Sequence, residues 1–311
     1  MINNGSIDLS VQLGKSRLKN PVMPASGTFG YGREFSSFID LERLGAIVVK
    51  SITPGPRLGS FEHRFIELAG GSFLSNIGLQ NVGIEIFIKE KLPYLRQFET
   101  PLIVSIAGES IEEFIRLAER LNKAGGVSAL QLNLTCPNTA RGGMMFSADP
   151  ELTFSVVKAV RGVTGLTLIP KLLPTTTDIT TLGRVCEEAG ADAIRPSAGR
   201  VGMAIDINTR RSKLGKNLTG ALGGPALKSV AVRMVWQVSQ LVGIPVIGCG
   251  GITSAEDALE FLIAGATAIE IGTYNLIDPK ATLKTIEGIE RYLIDHRISR
   301  IRDIIGSMIF S

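Results

Sequence analysis

Residues 129–138, Ala129-Leu130-Gln131-Leu132-Asn133-Leu134-Thr135-Cys136-Pro137-Asn138, join an apolar run to an unusual concentration of polar side chains. The first four residues, mostly apolar, predict a short buried strand. Two amides, a hydroxyl and a thiol follow, and Pro137 ends the strand because proline has no backbone N–H to donate. Cys136 is therefore predicted at the carboxyl tip of a strand. A buried cysteine beside turn-forming asparagines would show the same local pattern, so the choice between packing and chemistry depends on the rest of the chain.

Seven further apolar segments alternate with helical segments along the 311 residues. The eight predicted strands cover 20–27, 46–51, 102–108, 129–132, 167–174, 193–198, 245–251 and 268–273. Alternating strands and helices indicate parallel βα units, and eight units predict an α/β fold of the (β/α)8 TIM-barrel class in one domain, 1–311. Residues 54–81 exceed an ordinary barrel loop and predict a β-hairpin insertion, while the glycine-rich segment 199–224 predicts a lid loop at the carboxyl-terminal face. Helical spacing over 35–44 predicts the first helix.

Composition and charge argue against several classes of function. The net charge is +4 and Arg210-Arg211 is the one adjacent basic pair, which argues against nucleic-acid binding. The three cysteines are widely spaced and there are two histidines, so no metal site is predicted, and Cys186 and Cys249 are assigned to packing. No apolar run reaches the roughly 18 residues of a membrane span. A soluble, cytoplasmic protein that does not bind membranes is expected.

Polar residues stand at the predicted carboxyl ends of several strands, where (β/α)8 barrels place their active sites. They are Ser26, Lys50, Ser105, Asn133, Cys136, Asn138, Lys171, Ser197 and Thr273. Because the fold would gather them around one mouth, chemistry is favoured over packing for Cys136. Gly250-Gly251 and Gly272-Thr273 end the seventh and eighth strands, where barrels often bind phosphate through bare backbone amides. Lys171 could stabilise negative charge on a reduced flavin or act as a Schiff-base nucleophile, and Lys50 favours the anion-binding interpretation.

These motifs resemble the dihydroorotate dehydrogenases along nearly the whole chain. The resemblance is carried by Pro24-Ala25-Ser26-Gly27, Val49-Lys50-Ser51, Ile77-Gly78-Leu79-Gln80-Asn81, residues 133–138, Lys171, Gly250-Gly251 and Gly272-Thr273. It implies FMN across the barrel mouth, in contact with Ala25, Ser26, Gly27, Lys50, Ser51, Ser105, Asn133, Lys171, Gly223, Gly224, Gly250, Gly251, Gly272 and Thr273. It implies a substrate site formed by Lys50, Ser75, Asn76, Ile77, Gly78, Leu79, Asn133 and Asn138.

The cysteine at position 136 resembles class 1 of that family, and the stretch 77–81 most resembles class 1B. The implied reaction is the oxidation of (S)-dihydroorotate to orotate in pyrimidine biosynthesis, with Cys136 and Lys171 as catalytic residues. Cys136 would remove the C5 proton while the C6 hydride passes to FMN. Class 1B catalytic subunits pair with an iron–sulfur and FAD subunit that passes electrons to NAD, and a homodimer is expected. Three dispersed cysteines cannot hold a cluster, so such a centre would come from the partner.

The chain departs from the family pattern around the substrate. Ser75 stands where the family usually has asparagine, and after the fifth strand Leu173-Pro174-Thr175 stands where the family has a Ser-Pro-Asn-like sequence. At the sixth strand, Ala198-Gly199 replace an orotate-contacting Asn-Thr or Asn-Ser pair and follow the atypical Arg195-Pro196-Ser197. Each lost hydrogen bond would cost about 0.5–1.5 kcal/mol. Three alternatives stay open: a flavin oxidoreductase of the same scaffold acting on another dihydropyrimidine or cyclic amide, a non-redox phosphate-binding barrel such as a lyase or isomerase, and a catalytically silent FMN-binding subunit.

Overall fold

The computed structural model describes residues 7–135, 137–138, 144–173, 178–197 and 199–309. Its strands, in chain order, are β1 (Val11–Leu13), β2 (Ser16–Leu18), β3 (Val22–Pro24), β4 (Ile47–Ile52), β5 (Phe65–Glu67), β6 (Phe73–Ser75), β7 (Leu102–Ile106), β8 (Ala129–Asn133), β9 (Pro137–Asn138), β10 (Met144–Met145), β11 (Thr167–Lys171), β12 (Arg200–Gly202), β13 (Ile205–Asp206), β14 (Arg211–Ser212), β15 (Gly220–Gly223), β16 (Ile247–Cys249) and β17 (Ala268–Ile271).

The helices surround the barrel strands and alternate with most of them along the chain. They are α1 (Ile84–Ile86), α2 (Leu92–Leu95), α3 (Ile111–Ala124), α4 (Pro150–Arg161), α5 (Ile179–Glu188), α6 (Lys228–Ser239), α7 (Ala255–Ile263) and α8 (Ala281–Asp295), with a π-helical turn, Phe87–Lys91, between α1 and α2. Single 3₁₀ turns occur at Arg33–Phe35, Leu41–Arg43, Ala69–Gly71, Phe146–Ala148, Gly215–Asn217, Pro225–Leu227, Thr273–Leu276 and Ile301–Asp303.

Parallel pairing closes a barrel. One run of strands has the order β11-β8-β7-β4 and another has the order β16-β17-β3. Ile194 and Arg195 occupy the sixth strand position and join the two runs, because Ile194 bridges Val246 and Arg195 bridges Lys171, both in parallel. On the other side, the Gly45 amide donates to the Val22 carbonyl at 3.0 Å, between β3 and β4. The predicted (β/α)8 barrel is confirmed.

Polar side chains visible in the sequence fix where four of the helices begin. Ser110, Asp149, Asp178 and Ser254 each accept hydrogen bonds from first-turn amides of α3, α4, α5 and α7. Such caps satisfy amides that have no partner inside the helix. The apolar side of each helix then packs on the strands, and its buried residues are part of one hydrophobic core. None of the described helices has both the length and the apolar composition needed to cross a bilayer.

The helix predicted over 35–44 is wrong. The segment holds two separate 3₁₀ turns, Arg33–Phe35 and Leu41–Arg43. Asp40 adopts an extended conformation and its carboxylate accepts a hydrogen bond from the Glu42 amide, so it starts a new turn instead of continuing the old one.

The predicted hairpin insertion is present as β5 and β6, which pair antiparallel. The segment predicted as a lid loop also carries strands: β12 and β15 join the hairpin in a four-stranded sheet of order β12-β15-β6-β5, and β13 and β14 form a hairpin of their own. The sheet lies at the carboxyl ends of the barrel strands. At the opposite end, the β1–β2 hairpin covers the start of β11, where the Lys15 amide donates to Thr167 Oγ1 at 3.0 Å.

Candidate active site

A cavity of about 260 Å³ opens at the carboxyl ends of the barrel strands, between the barrel and the four-stranded sheet. β6 and β15 supply one wall, and the loops after β3, β16 and β17 supply the other. The predicted site residues that line the cavity are Ala25, Ser26, Ser75, Lys171, Gly223, Gly224, Gly250, Gly251, Gly272 and Thr273. Residues from six segments, far apart in the chain, therefore meet where the sequence predicts the mouth of the barrel.

The glycines form a wall that tolerates no side chain at several positions. Gly250 and Gly251 have φ values of 121° and 74°, which side-chain-bearing residues rarely adopt. A Cβ atom at Gly251 would lie 2.7 Å from the Lys228 amide nitrogen, and one at Gly223 would clash with Thr273 Oγ1. Bare backbone next to a cavity leaves amides that can contact an anion directly. These residues therefore fit the phosphate of a cofactor.

A hydrogen-bond network holds the loop after β16 in place. Asp257 of α7 accepts hydrogen bonds from both the amide and the hydroxyl of Thr253, at 2.8 and 2.7 Å. Lys228 of α6 donates to the other carboxylate oxygen of Asp257 at 2.7 Å. Thr253 itself lines the cavity. It was not among the predicted residues, although its place immediately before the Ser254 cap was a usable signal.

Two buried cations lie next to each other at the cavity. Lys171 and Arg195 are 8% and 5% exposed, and their backbones form a parallel bridge at the ends of adjacent strands. Both line the cavity. Sequence reasoning predicted Lys171 and treated Arg195 only as an atypical residue, because an arginine inside a barrel strand has no simple sequence signature.

Arg195 is held by partners inside the barrel. Its Nε lies 3.2 Å from Oε2 of Glu270, and its Nη2 donates to the sulfur of Cys249. Gln131 Nε2 donates to the other oxygen of Glu270 at 2.5 Å. Burial acts to lower the pKa of Arg195, but the negative charge of Glu270 and the contact with Cys249 outweigh it and leave that pKa raised. The guanidinium is therefore charged.

Of the two cysteines that the structure describes, Cys249 lies at the wall of the cavity and Cys186 lies in the hydrophobic core. Burial raises the pKa of the Cys249 thiol, and Arg195 offsets only part of this effect, so Cys249 is a neutral thiol. Cys249 lines the cavity, so its prediction as a packing residue was incomplete. Cys186 is fully buried in the hydrophobic core, which confirms packing for that residue, and burial raises its pKa as well.

A hydrogen-bonded cluster connects β4, β7 and β8 beside the cavity. Ser51 and Ser105 share a hydrogen bond of 2.8 Å between their hydroxyls, and Asn133 Nδ2 donates to Ser51 at 3.2 Å. The Thr135 hydroxyl donates to Asn133 Oδ1 at 2.6 Å. Thr135 lines the cavity, so this chain of contacts fixes the strand end that leads to Cys136.

Lys50 lies in a neighbouring cavity of about 490 Å³, which Arg57 and Asn81 also line. Its ammonium sits 5.7 Å from the centre of the Tyr31 ring. Partial burial lowers the pKa of Lys50, opposed in part by Glu34. The structure therefore does not bring Lys50 together with Lys171 around one cavity, and its role at the cofactor stays a prediction.

The remaining predicted residues are distributed around these cavities. Asn76 ties two loops together, since its amide donates to the Thr219 carbonyl at 2.9 Å and its Oδ1 accepts from the Ser60 hydroxyl at 2.6 Å. Ile77, Gly78 and Leu79 form the following turn, against residues 59–60. Gly27, with φ of 94°, follows the cavity residue Ser26. Cys136, Thr175, Ala198 and the side chain of Asn138 lie outside the described residues.

No group of three histidine, cysteine, aspartate or glutamate side chains in the described ranges is placed to hold a metal ion. Backbone amides, hydroxyls, the Cys249 thiol and two cations line the cavity. A (β/α)8 barrel with such a cavity at its strand ends is an enzyme scaffold suited to an anionic cofactor or substrate.

Comparison with known proteins identifies the family. The chain belongs to the dihydroorotate dehydrogenase family, whose family model matches residues 8–293. Members of this family are flavin-dependent oxidoreductases that act on CH–CH bonds.

Two bacterial relatives match almost end to end. The dihydroorotate dehydrogenase B (NAD(+)) catalytic subunit of Geotalea uraniireducens is 49% identical over 305 residues, covering 98% of this chain and 99% of that protein. The same subunit of Geotalea daltonii is 50% identical over 301 residues, covering 97% and 98%. A crystal structure of DHODH from Eimeria tenella in complex with ferulenol has a TM-score of 0.78 over 99% of this chain and 90% of that chain. At 21% identity, that structure supports the fold alone.

Proposed function

We propose that this chain is a class 1B dihydroorotate dehydrogenase catalytic subunit, which oxidises (S)-dihydroorotate to orotate with FMN in pyrimidine biosynthesis. The observation that carries the proposal is the cavity at the strand ends, which combines the glycine walls of the last two barrel loops with Lys171. Both named Geotalea relatives are catalytic subunits of dihydroorotate dehydrogenase B. Because they cover nearly the whole chain, their activity is the first to test.

The proposed cofactor contacts follow from the residues around the cavity. The amides near Gly250, Gly251 and Gly272 would hold the FMN phosphate, since backbone amides next to a helix start favour anions. Lys171, one of the two buried cations at the cavity, would stabilise negative charge that develops on the ring upon reduction. When bound, FMN supplies the acceptor for the hydride from C6 of the substrate.

The proposed base is Cys136, three residues beyond Asn133. The amide of Asn133 is fixed by Ser51 and Thr135, so the strand end that leads to the cysteine has a defined position. Cys136 would take the C5 proton as the C6 hydride leaves. An ordinary cysteine has a pKa of about 8.5, so its thiolate fraction, and with it the rate of reduction, should rise with pH around neutrality.

Anaerobic mixing of the purified protein with dihydroorotate tests the proposal. We expect bound flavin with an absorbance band near roughly 450 nm, typical of oxidised flavins, and loss of that band on mixing with substrate. Dithionite, added to a parallel sample, shows that the flavin can be reduced. A band that dithionite removes and saturating dihydroorotate leaves unchanged would contradict dihydroorotate as substrate. A protein purified without any flavin would contradict the flavoenzyme as a whole.

The electron acceptor is proposed to be a second subunit that carries an iron–sulfur centre and FAD and passes electrons to NAD. The support is the name of the relatives, which are the catalytic subunits of NAD(+)-linked enzymes. A homodimer and a cytoplasmic location stay predictions from the sequence.

A second candidate function is oxidation or reduction of another dihydropyrimidine or cyclic amide on the same flavin. Ser75 and Gly199 favour it, because both line the cavity at positions where the family pattern has larger polar side chains, an asparagine at 75 and a threonine or serine at 199. The same anaerobic titration with dihydrouracil separates the two functions. Bleaching by dihydrouracil at concentrations where dihydroorotate is inert would favour the second candidate.

A further inference from the structure

The interior of the barrel next to the cavity contains a polar group that the proposed reaction does not use. Gln131, Arg195, Cys249 and Glu270 are each at most 5% exposed, and they come from four strand positions. Hydrogen bonds and an ion pair connect them in the order Gln131, Glu270, Arg195, Cys249. A barrel interior is ordinarily filled by branched apolar residues, so this group is unusual.

The group is oriented with respect to the cavity. Arg195 and Cys249 line the cavity wall, while Gln131 and Glu270 are 0% exposed and lie behind them. The positive end of the ion pair therefore faces the cavity and the negative end faces the packed interior. Because Cys249 is neutral, it accepts a hydrogen bond from Arg195 without cancelling its charge.

Stability alone does not account for this arrangement. A buried ion pair is often no more stabilising than apolar residues of the same volume, because desolvation of both charges offsets their attraction. The Arg195 backbone pairs with Lys171, so the pair adds a second positive charge on the wall that already carries the lysine. In surroundings of low dielectric such a charge acts strongly on any anion within the cavity.

We propose that Arg195, held in place by Glu270, is a second cation beside Lys171 that stabilises negative charge on the flavin bound in this cavity and thereby raises its reduction potential. The proposal rests on the proposed function, since it requires a bound flavin. Arg195 acts as a tuning residue, and Glu270 positions it.

The test is an anaerobic redox titration of the bound flavin against a reference dye, on the protein with its flavin. Arg195→Gln/Glu270→Gln removes both charges together and leaves no single charge buried. In this variant we expect the ratio of reduced to oxidised flavin at a fixed dye ratio to fall by up to roughly tenfold, because Arg195 is nearer the cavity than Glu270 and the opposite charges cancel only in part. In Glu270→Gln, which removes only the counter-charge, that ratio should rise. Arg195→Lys should keep most of the wild-type ratio.

Arg161→Gln is the matched control. It breaks the ion pair between Arg161 and Asp192, 2.9 Å long, at the amino-terminal end of the same barrel region. It should lower the melting temperature and leave the flavin potential unchanged. Equal potentials in the wild type and the double variant would overturn the proposal and leave the pair a purely structural role. If the wild type itself held no flavin, the proposed function would fail first, and this inference with it.

Discussion

Cys136 is the residue on which the rate of substrate oxidation is predicted to depend. Replacing the proposed base, Cys136→Ala, should leave FMN bound and slow flavin reduction by dihydroorotate by about 10²- to 10⁴-fold, the usual contribution of a general base. Stopped-flow absorbance measures the rate. Cys186→Ala makes the same chemical change in the buried core. That control should reduce stability and leave the rate of reduction near the wild-type value; an equal slowing in both variants would contradict a base at position 136.

Single residues also show what sequence reasoning can find. The position of Lys171 and of the glycines of the last two loops at the cavity was predictable, because a lysine that ends an apolar strand and glycine pairs at strand ends are local patterns. The positions of Arg195 and Cys249 were not. Arg195 pairs with Glu270, 75 residues further along the chain, and donates to Cys249, 54 residues further along, and no local pattern shows such pairing.

Helix α5 offers a test at the scale of one element. Its cap, Asp178, accepts hydrogen bonds from the hydroxyls and the amides of Thr180 and Thr181. These bonds, those from the hydroxyls most of all, lower the pKa of Asp178 from 3.8 to about 2. Asp178→Ala should lower the free energy of unfolding at neutral pH by about 1 kcal/mol, the typical value of such a cap. Urea unfolding of both proteins measures the difference.

The same cap predicts a pH dependence. The carboxyl has a lower pKa in the folded than in the unfolded protein, so its stabilisation is fully present above the unfolded value of 3.8 and is lost as the pH falls towards about 2. The difference in unfolding free energy between wild type and Asp178→Ala should therefore shrink over this range. Asp178→Asn keeps a capping oxygen without a titrating charge, and its difference from Asp178→Ala should stay nearly constant. A constant difference for the wild type would contradict the ionised cap.

Elements were predictable wherever a local signal defined both their type and their start. The four capped helices and the β5–β6 hairpin belong to this group. The segment 35–44 has helical spacing, yet Asp40 starts a separate turn there, since a side-chain bond to the Glu42 amide competes with helix continuation. Strands β12 and β15 could not be seen in the glycine-rich segment, because their pairing with β6 is a long-range contact.

The whole barrel was predictable because eight repeated βα units have one common closed arrangement, so weak signals in single strands add up. The sixth strand shows this: it consists of two bridging residues, Ile194 and Arg195, yet its place in the order follows from its neighbours. The division into a cavity at Lys171 and another at Lys50 was not predictable, because it depends on how the inserted sheet lies over the mouth.

Electron transfer out of the protein is a property of the whole molecule. An iron–sulfur centre takes about four cysteine ligands, and this chain has three cysteines. Two of them are buried apart from each other, Cys186 in helix α5 and Cys249 in strand β16. Under the proposed function, electrons must therefore leave the chain through another subunit to reach NAD.

We expect that the isolated protein, reduced anaerobically by one equivalent of dihydroorotate, is reoxidised at once by a dye such as dichlorophenolindophenol and remains reduced for minutes with NAD alone. Absorbance near roughly 450 nm follows the flavin, and the dye sample is the control for a competent, accessible cofactor. Addition of an iron–sulfur and FAD subunit from a class 1B enzyme should restore reoxidation by NAD. Rapid reoxidation by NAD without any partner would place the nicotinamide site on this chain and contradict its assignment as one subunit of a larger enzyme.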